Sequence, residues 1–224
     1  MAALYIAATP IGNLEDITYR AVRILREAAI IAAEDTRQTR KLLNHYNISP
    51  SRLLSCRAHN EAESAKGIIK LLDEGKDTVY VSEAGTPCIS DPGARLVQAV
   101  REAGHSIVPI PGVSAVTALI STAGTIGKGF RFEGFLSPKS GQRRKCLTEL
   151  LNESSAFILY ESPYRIIKLL EELNTLAPKR NIFMGREITK KFEEFLSGSP
   201  QELLTLFQKR DKIKGEIALL VEKE

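Results

Sequence analysis

Short apolar runs alternate with amphipathic helical patterns through the first half of the chain, and this alternation restricts the fold more than any other feature. Leu4 to Ala8, Ile30 to Ala33, a run around Leu53 and Leu54, Val79 to Val81 and Ser106 to Pro109 read as strands. One helical pattern starts at Asp16 or Thr18 and carries Ile17, Ala21, Val22, Leu25 and Ala29, and a second opens at Glu34 to Arg37 and carries Leu42 and Leu43. A third carries Ile68, Ile69, Leu71 and Leu72 and ends at Gly75, and a fourth runs from Pro92 to Ala103. Repeated strand and helix units of this kind fold as a parallel sheet with helices on both faces.

Open sheets of this type bind ligands in the loops at the carboxyl ends of their strands. The richest such loop lies in Val79 to Ala94, VYVSEAGTPCISDPGA, where Gly85, Thr86, Pro87, Ser90, Asp91, Pro92 and Gly93 exclude regular structure. Asp91 is suited to cap the helix that follows, and Pro92 to its first turn. A second loop is Thr9-Pro10-Ile11-Gly12-Asn13 after the first strand. A third is Pro109-Ile110-Pro111-Gly112-Val113-Ser114-Ala115, where Ser114 is placed to cap the next helix.

Residues 121 to 129 hold three glycines and few large side chains, which places a linker there and divides the chain into domains 1–122 and 123–224. In the second domain Phe130 to Phe135, Ala156 to Tyr160, Asn181 to Glu187, Phe192 to Ser197 and Glu216 to Val221 read as strands. Helices are expected over Gln142 to Asn152, after Pro163, and from Ser199-Pro200 through Phe207. Several of these strands lack crossover helices, so the second sheet should be mixed. The fold class is α/β, with two α/β domains.

Of the 224 residues, 43% are apolar and 26% charged, the proportions of a globular protein. No apolar run approaches the roughly 18 residues that span a bilayer, and Met1 to Pro10 lacks the basic start of a secretory signal, so a cytoplasmic location is expected. Cys56, Cys88 and Cys146 are widely spaced and suggest free thiols, with neither a disulfide framework nor a metal site. The net charge of +4 is unevenly placed: residues 1–125 hold 13 basic and 13 acidic side chains, residues 126–224 hold 18 and 14. The densest basic cluster is Lys139, Arg143, Arg144 and Lys145, which would attract a phosphate backbone or form a solvated helix start.

Familiar nucleotide motifs are absent. TPIGN has no spaced glycine series for a dinucleotide, Gly124, Gly127 and Gly129 around Lys128 do not fit a phosphate-gripping loop, and PGVSA supplies only half of a serine-hydrolase elbow.

Six segments in order do carry a resemblance: TPIGNLEDIT (9–18), AEDTR (33–37), SEAGTPCISDPG (82–93), PGVSA (111–115), FEGFL (132–136) and YESPYR (160–165). Together they resemble the tetrapyrrole methylase superfamily, and within it the branch that 2'-O-methylates a cytidine in small-subunit ribosomal RNA. Order and spacing match from Leu4 to Val221. The resemblance implies S-adenosylmethionine as methyl donor, held between two α/β domains, and a homodimer. Ala8-Thr9-Pro10-Ile11-Gly12-Asn13 stands where tetrapyrrole enzymes carry G-x-G-P-G-D, which argues against a porphyrin-type substrate. Some relatives in the RNA branch continue past the final strand, so RNA contacts carried by such an extension are not expected here.

Residue by residue, the resemblance puts Pro10 and Ile11 beside the donor, with Glu83, Ala84, Gly85, Thr86, Pro87 and Ile89 around its methionine and ribose. It adds Ser114 and Ala115 from the third loop. Tyr160, Glu161, Gly215, Glu216 and Ile217 would close over the adenine. Ribosomal RNA, free or in the small subunit, would meet Lys139, Arg143, Arg144 and Lys145. A proton acceptor for a ribose hydroxyl could be Asp35, His59, Glu61 or Glu83, each near the carboxyl end of an expected strand. Asp35 is equally suited to cap its helix or pair with Arg37, and His59 to stand on the surface. The residues themselves leave open a small-molecule methyltransferase or a nucleotide-binding module.

Overall fold

The computed structural model describes residues 2–124 and 129–223. Two compact units divide the chain, Met1–Ser114 and Ala115–Glu224.

In the first unit β1 (Ala3–Ala7), β2 (Ile30–Ala33), β3 (Arg52–Ser55), β4 (Thr78–Val81) and β5 (Ser106–Ile110) form one parallel sheet in the order β3-β2-β4-β1-β5. The strand period of two sorts its apolar side chains between two cores. Ala7, Ile31, Ala33, Val79, Val81 and Ile110 face α1 (Tyr19–Glu27) and α2 (Thr36–His45). Leu4, Ala32 and Tyr80 face α3 (Glu61–Asp73) and α4 (Ala94–Glu102). Thr18 caps α1, its hydroxyl accepting from the Ala21 N–H at 3.1 Å, while Asp16 lies in a separate 3-10 turn.

The second unit begins with α5 (Ala115–Ala123), which packs on β8 (Ile182–Arg186) and β10 (Ile217–Val221). The division falls before this helix, whereas a boundary at 122/123 would have left it in the first unit. Residues 125–128 of the expected linker lie outside the described residues. With β6 (Phe130–Phe135), β7 (Ala156–Glu161) and β9 (Glu194–Gly198), the strands form a mixed sheet ordered β6-β7-β10-β8-β9. Among the described residues of this sheet, β6 and β7 pair parallel and the other neighbours antiparallel. Phe157, Leu159, Ile182, Met184, Leu219 and Val221 pack on α6 (Ser140–Asn152), α7 (Ile166–Leu176) and α8 (Pro200–Gln208). A reciprocal box between Ser199 and Glu202, with Pro200 in the first turn, starts α8 as its sequence dictates. Among the described residues, no helix is long and apolar enough to cross a membrane.

Candidate functional site

All strands of the first sheet are parallel, so the turns after β1, β2, β4 and β5 leave one edge. β1 and β4 are neighbours whose following helices cover opposite faces, α1 on the Val79 side and α4 on the Tyr80 side. Such a strand pair is a switch point, where a crevice opens between the outgoing chains. Here the turns are joined across it. Thr9 and Gly85 exchange two backbone hydrogen bonds of 2.9 Å, and the Thr86 hydroxyl donates to the Val113 carbonyl at 2.9 Å. Gly85 has a φ of 75°, and a Cβ on it would lie 3.2 Å from the Ile11 Cγ2 and 3.6 Å from the Val113 carbonyl oxygen. TPIGN, SEAGTP and the PGVS part of PGVSA thus meet around Gly85, where a side chain would be strained and tightly packed.

The return of the SEAGTPCISDPG loop into α4 differs from expectation. Its N-cap is Gly93, not Asp91, with a φ of 127°. A Cβ there would sit 2.7 Å from both the Cys88 Sγ and the Tyr80 Cε1. The capping acceptor comes from α3: the buried Glu61 Oε1 receives the Gly93 and Leu96 N–H groups, each at 3.0 Å.

This gives Glu61 a helix-capping role: it is 5% exposed, and its Oε1 serves two amides of α4. Asp35 likewise caps α2, accepting from the Arg37 N–H at 2.8 Å, and pairs with the guanidinium at 3.0 Å. Arg37 holds its carboxyl down at about 2. His59 is exposed in the turn before α3, and that turn is docked by Arg57, whose N–H reaches Asn60 Oδ1 at 2.7 Å and whose Nε reaches the Glu34 carbonyl at 3.3 Å. Glu83 is exposed, and its N–H donates to the Glu34 Oε2 at 3.1 Å. Glu34 was not among the expected acids. Burial pushes its carboxyl above the ordinary value, the Glu83 N–H opposes that shift, and the charges of Glu83 and Asp35 add to it. The available signal was its position as the first residue after β2.

In the second unit Tyr160 and Glu161 end β7, directly opposite Ala218 and Ile217 of β10. Tyr160, Glu161, Gly215, Glu216 and Ile217 therefore share one end of the sheet. Glu187 and Lys190, absent from the sequence expectation, fix this end. The Glu216 N–H donates to Glu187 Oε1 at 3.0 Å, and Lys190 bridges Glu187 and Glu216 at 3.0 Å each. Gly215 has a φ of 95° with its missing Cβ position filled by the Glu187 side chain.

One member of the basic cluster must be corrected. Arg143 is 3% exposed and forms two 2.7 Å bonds to Glu172 of α7, so its charge is neutralised inside the fold rather than offered to RNA. Lys139, Arg144 and Lys145 remain exposed, Lys145 4.0 Å from Glu149.

The family described as Tetrapyrrole (Corrin/Porphyrin) Methylases matches residues 3–204. The chain belongs to this family. It is 46% identical over 219 residues to Ribosomal RNA small subunit methyltransferase I of Neisseria meningitidis serogroup B (strain ATCC BAA-335 / MC58), covering 97% of this chain and 75% of the relative. It is 42% identical over 221 residues to the protein of that name from Thermotoga maritima, covering 99% and 98%. Among solved structures, the uroporphyrin-III C-methyltransferase of Thermus thermophilus complexed with S-adenosyl homocysteine has the same fold, with a TM-score of 0.67 at 17% identity and coverage of 98% and 97%.

At the first-unit edge the Thr9 hydroxyl is buried without a hydrogen-bond partner among the described residues, Gly85 carries no side chain, and Ile89 is an exposed apolar group. A hydroxyl awaiting a partner, backbone in glycine turns and an apolar neighbour fit a ligand that combines amino-acid and nucleoside parts. Among the described residues, no group of three or more His, Cys, Asp or Glu could hold a metal ion.

Proposed function

We propose that this chain methylates small-subunit ribosomal RNA with S-adenosylmethionine, and that its product is 2'-O-methylcytidine. The near full-length identity to proteins named ribosomal RNA small subunit methyltransferase I carries the reading. We assign the donor to Pro10, Ile11, Glu83, Ala84, Gly85, Thr86, Pro87, Ile89, Ser114 and Ala115, with Tyr160, Glu161, Gly215, Glu216 and Ile217 as the second unit's share.

Bound S-adenosylmethionine supplies a methyl group on a sulfonium. The loops joined at Gly85 contribute orientation, which in well-aligned systems is worth up to about 7–11 kcal/mol. Accepting the ribose hydroxyl proton adds about 10² to 10⁴ in rate, and most when the acceptor's pKa is near the working pH. Asp35, held at about 2, is a poor acceptor, and Glu61 is buried with its Oε1 committed to two amides of α4. Glu34, raised by burial, joins His59 and Glu83 as the remaining candidates. We assign the chain to the cytoplasm as a homodimer, the latter to be checked by sedimentation.

The test is labelled-methyl transfer to purified small subunits, free ribosomal RNA and small metabolites, followed by nuclease digestion and nucleoside analysis. Label in 2'-O-methylcytidine is expected. Label on a base would reject the hydroxyl, and label only among metabolites would reject RNA.

A further inference from the structure

FEGFL and YESPYR have no role in the donor assignment beyond Tyr160 and Glu161, yet the fold places their aromatic rings with unusual care. β6 and β7 run parallel in register except at Glu133, where a bulge intervenes: Phe132 pairs with Ile158, Gly134 with Leu159, and Phe135 with Tyr160. Gly134 permits the bulge with a φ of 74°. In an unbroken strand Phe132 and Phe135, three apart, would point to opposite faces. The extra residue puts both on the face of Ile158 and Tyr160, as bulges beside functional sites commonly re-aim a side chain. Both rings meet Tyr160 edge-on, with centroids 5.1 and 5.6 Å apart.

Phe135 is nevertheless 58% exposed, and Tyr164, in the turn after β7, is 91% exposed. That turn is rigid. Arg165 donates to Glu161 Oε1 at 2.7 Å and to the carbonyl of Leu136, the residue after Phe135, at 3.2 Å. The chain then passes at once to Lys139 and α6, whose start carries the exposed Arg144 and Lys145. The helix α6 covers the opposite face of the sheet and β6 is its edge strand, so a chain touching both the ring and these cations passes round that edge; rings stacking on bases with cations meeting phosphates is the combination that binds single-stranded nucleic acid.

We propose that the Phe135 ring, braced by Tyr160, is a stacking surface for an unpaired base of the substrate RNA, with Lys139, Arg144 and Lys145 taking the adjoining phosphates. The inference rests on the RNA reading above and adds to it how the substrate is positioned. Phe135 is a positioning residue, so its loss should raise KM for RNA more than it lowers kcat.

The chain has no tryptophan, so Phe135→Trp provides a single indole at the site. Purified small-subunit ribosomal RNA should quench its fluorescence, and inorganic polyphosphate, which has charge but no bases, should not. Phe135→Ala should weaken binding of the same RNA about 5- to 150-fold, the loss of one stacked base, with S-adenosylhomocysteine affinity unchanged and thermal unfolding still cooperative, its midpoint slightly lowered by the lost edge contact with Tyr160. Changing Lys139 and Arg144 to Gln should instead lower the salt slope of RNA binding by roughly one unit per lost contact. The proposal is overturned if RNA leaves the indole unquenched, if Phe135→Ala retains parental RNA affinity, or if that variant loses donor affinity or dimerisation alone. A parent protein that transfers no methyl to RNA would fail the underlying reading instead.

Discussion

Glu61 and Asp35 both hold helix amides, but only one of those roles could be read from sequence. Asp35 serves the helix that follows it, so the cap and the Arg37 pair were visible within three residues. Glu61 serves α4, more than 30 residues away, and no local pattern records that. Glu61→Ala should lower the unfolding free energy in urea by about 1–2 kcal/mol, because two buried amides lose their acceptor. Glu61→Gln keeps an acceptor oxygen and should retain methyl transfer; an inactive but fully folded Gln variant would make Glu61 the proton acceptor after all. Glu34 links folding to pH. A carboxyl raised by folding contributes stability that is complete below its ordinary value of 4.5 and is lost as pH rises through the folded value. Glu34→Gln keeps a neutral acceptor for the Glu83 N–H, so it should be more stable than the parent at neutral pH, with the difference vanishing in acid. Thermal melts across pH 4 to 8 check the sign, and a parent that gains on the variant as pH rises would refute it.

Among the elements, α6 shows how a charge pattern misleads when helix geometry is left out. Lys139 to Lys145 reads as one basic surface, yet Arg143, Leu147 and Leu150 are spaced four and three apart and share the buried face. That spacing was the available signal. Arg143→Met leaves Glu172 largely buried and unpaired, which should cost about 3 kcal/mol in denaturant unfolding, while the salt slope of RNA binding stays as in the parent. A lowered slope without loss of stability would return Arg143 to the RNA surface. Strand identities were legible because four-residue apolar runs between turn formers leave little choice. The Glu133 bulge was not, since it depends on a neighbouring strand.

For the whole molecule, two α/β units followed from the alternation of patterns and from the change to closely spaced strands after Phe130. The division before α5 did not, because glycines near residue 124 mark a break in regular structure, while unit membership depends on packing against β10 and β8. The convergence of three loops was legible because each follows a parallel strand; the bonds joining them at Gly85 were not, because they link segments distant in the chain. Those bonds make the central claim testable by titration calorimetry, with S-adenosylhomocysteine, ATP and NAD added to the parent and to Gly85→Val. At a φ of 75°, valine is strained and its side chain meets Ile11 and the Val113 carbonyl. The account predicts saturable S-adenosylhomocysteine binding to the parent alone, none by ATP or NAD, and a variant whose thermal unfolding remains cooperative. Undiminished S-adenosylhomocysteine binding to Gly85→Val, or saturable binding of ATP in its place, would contradict it.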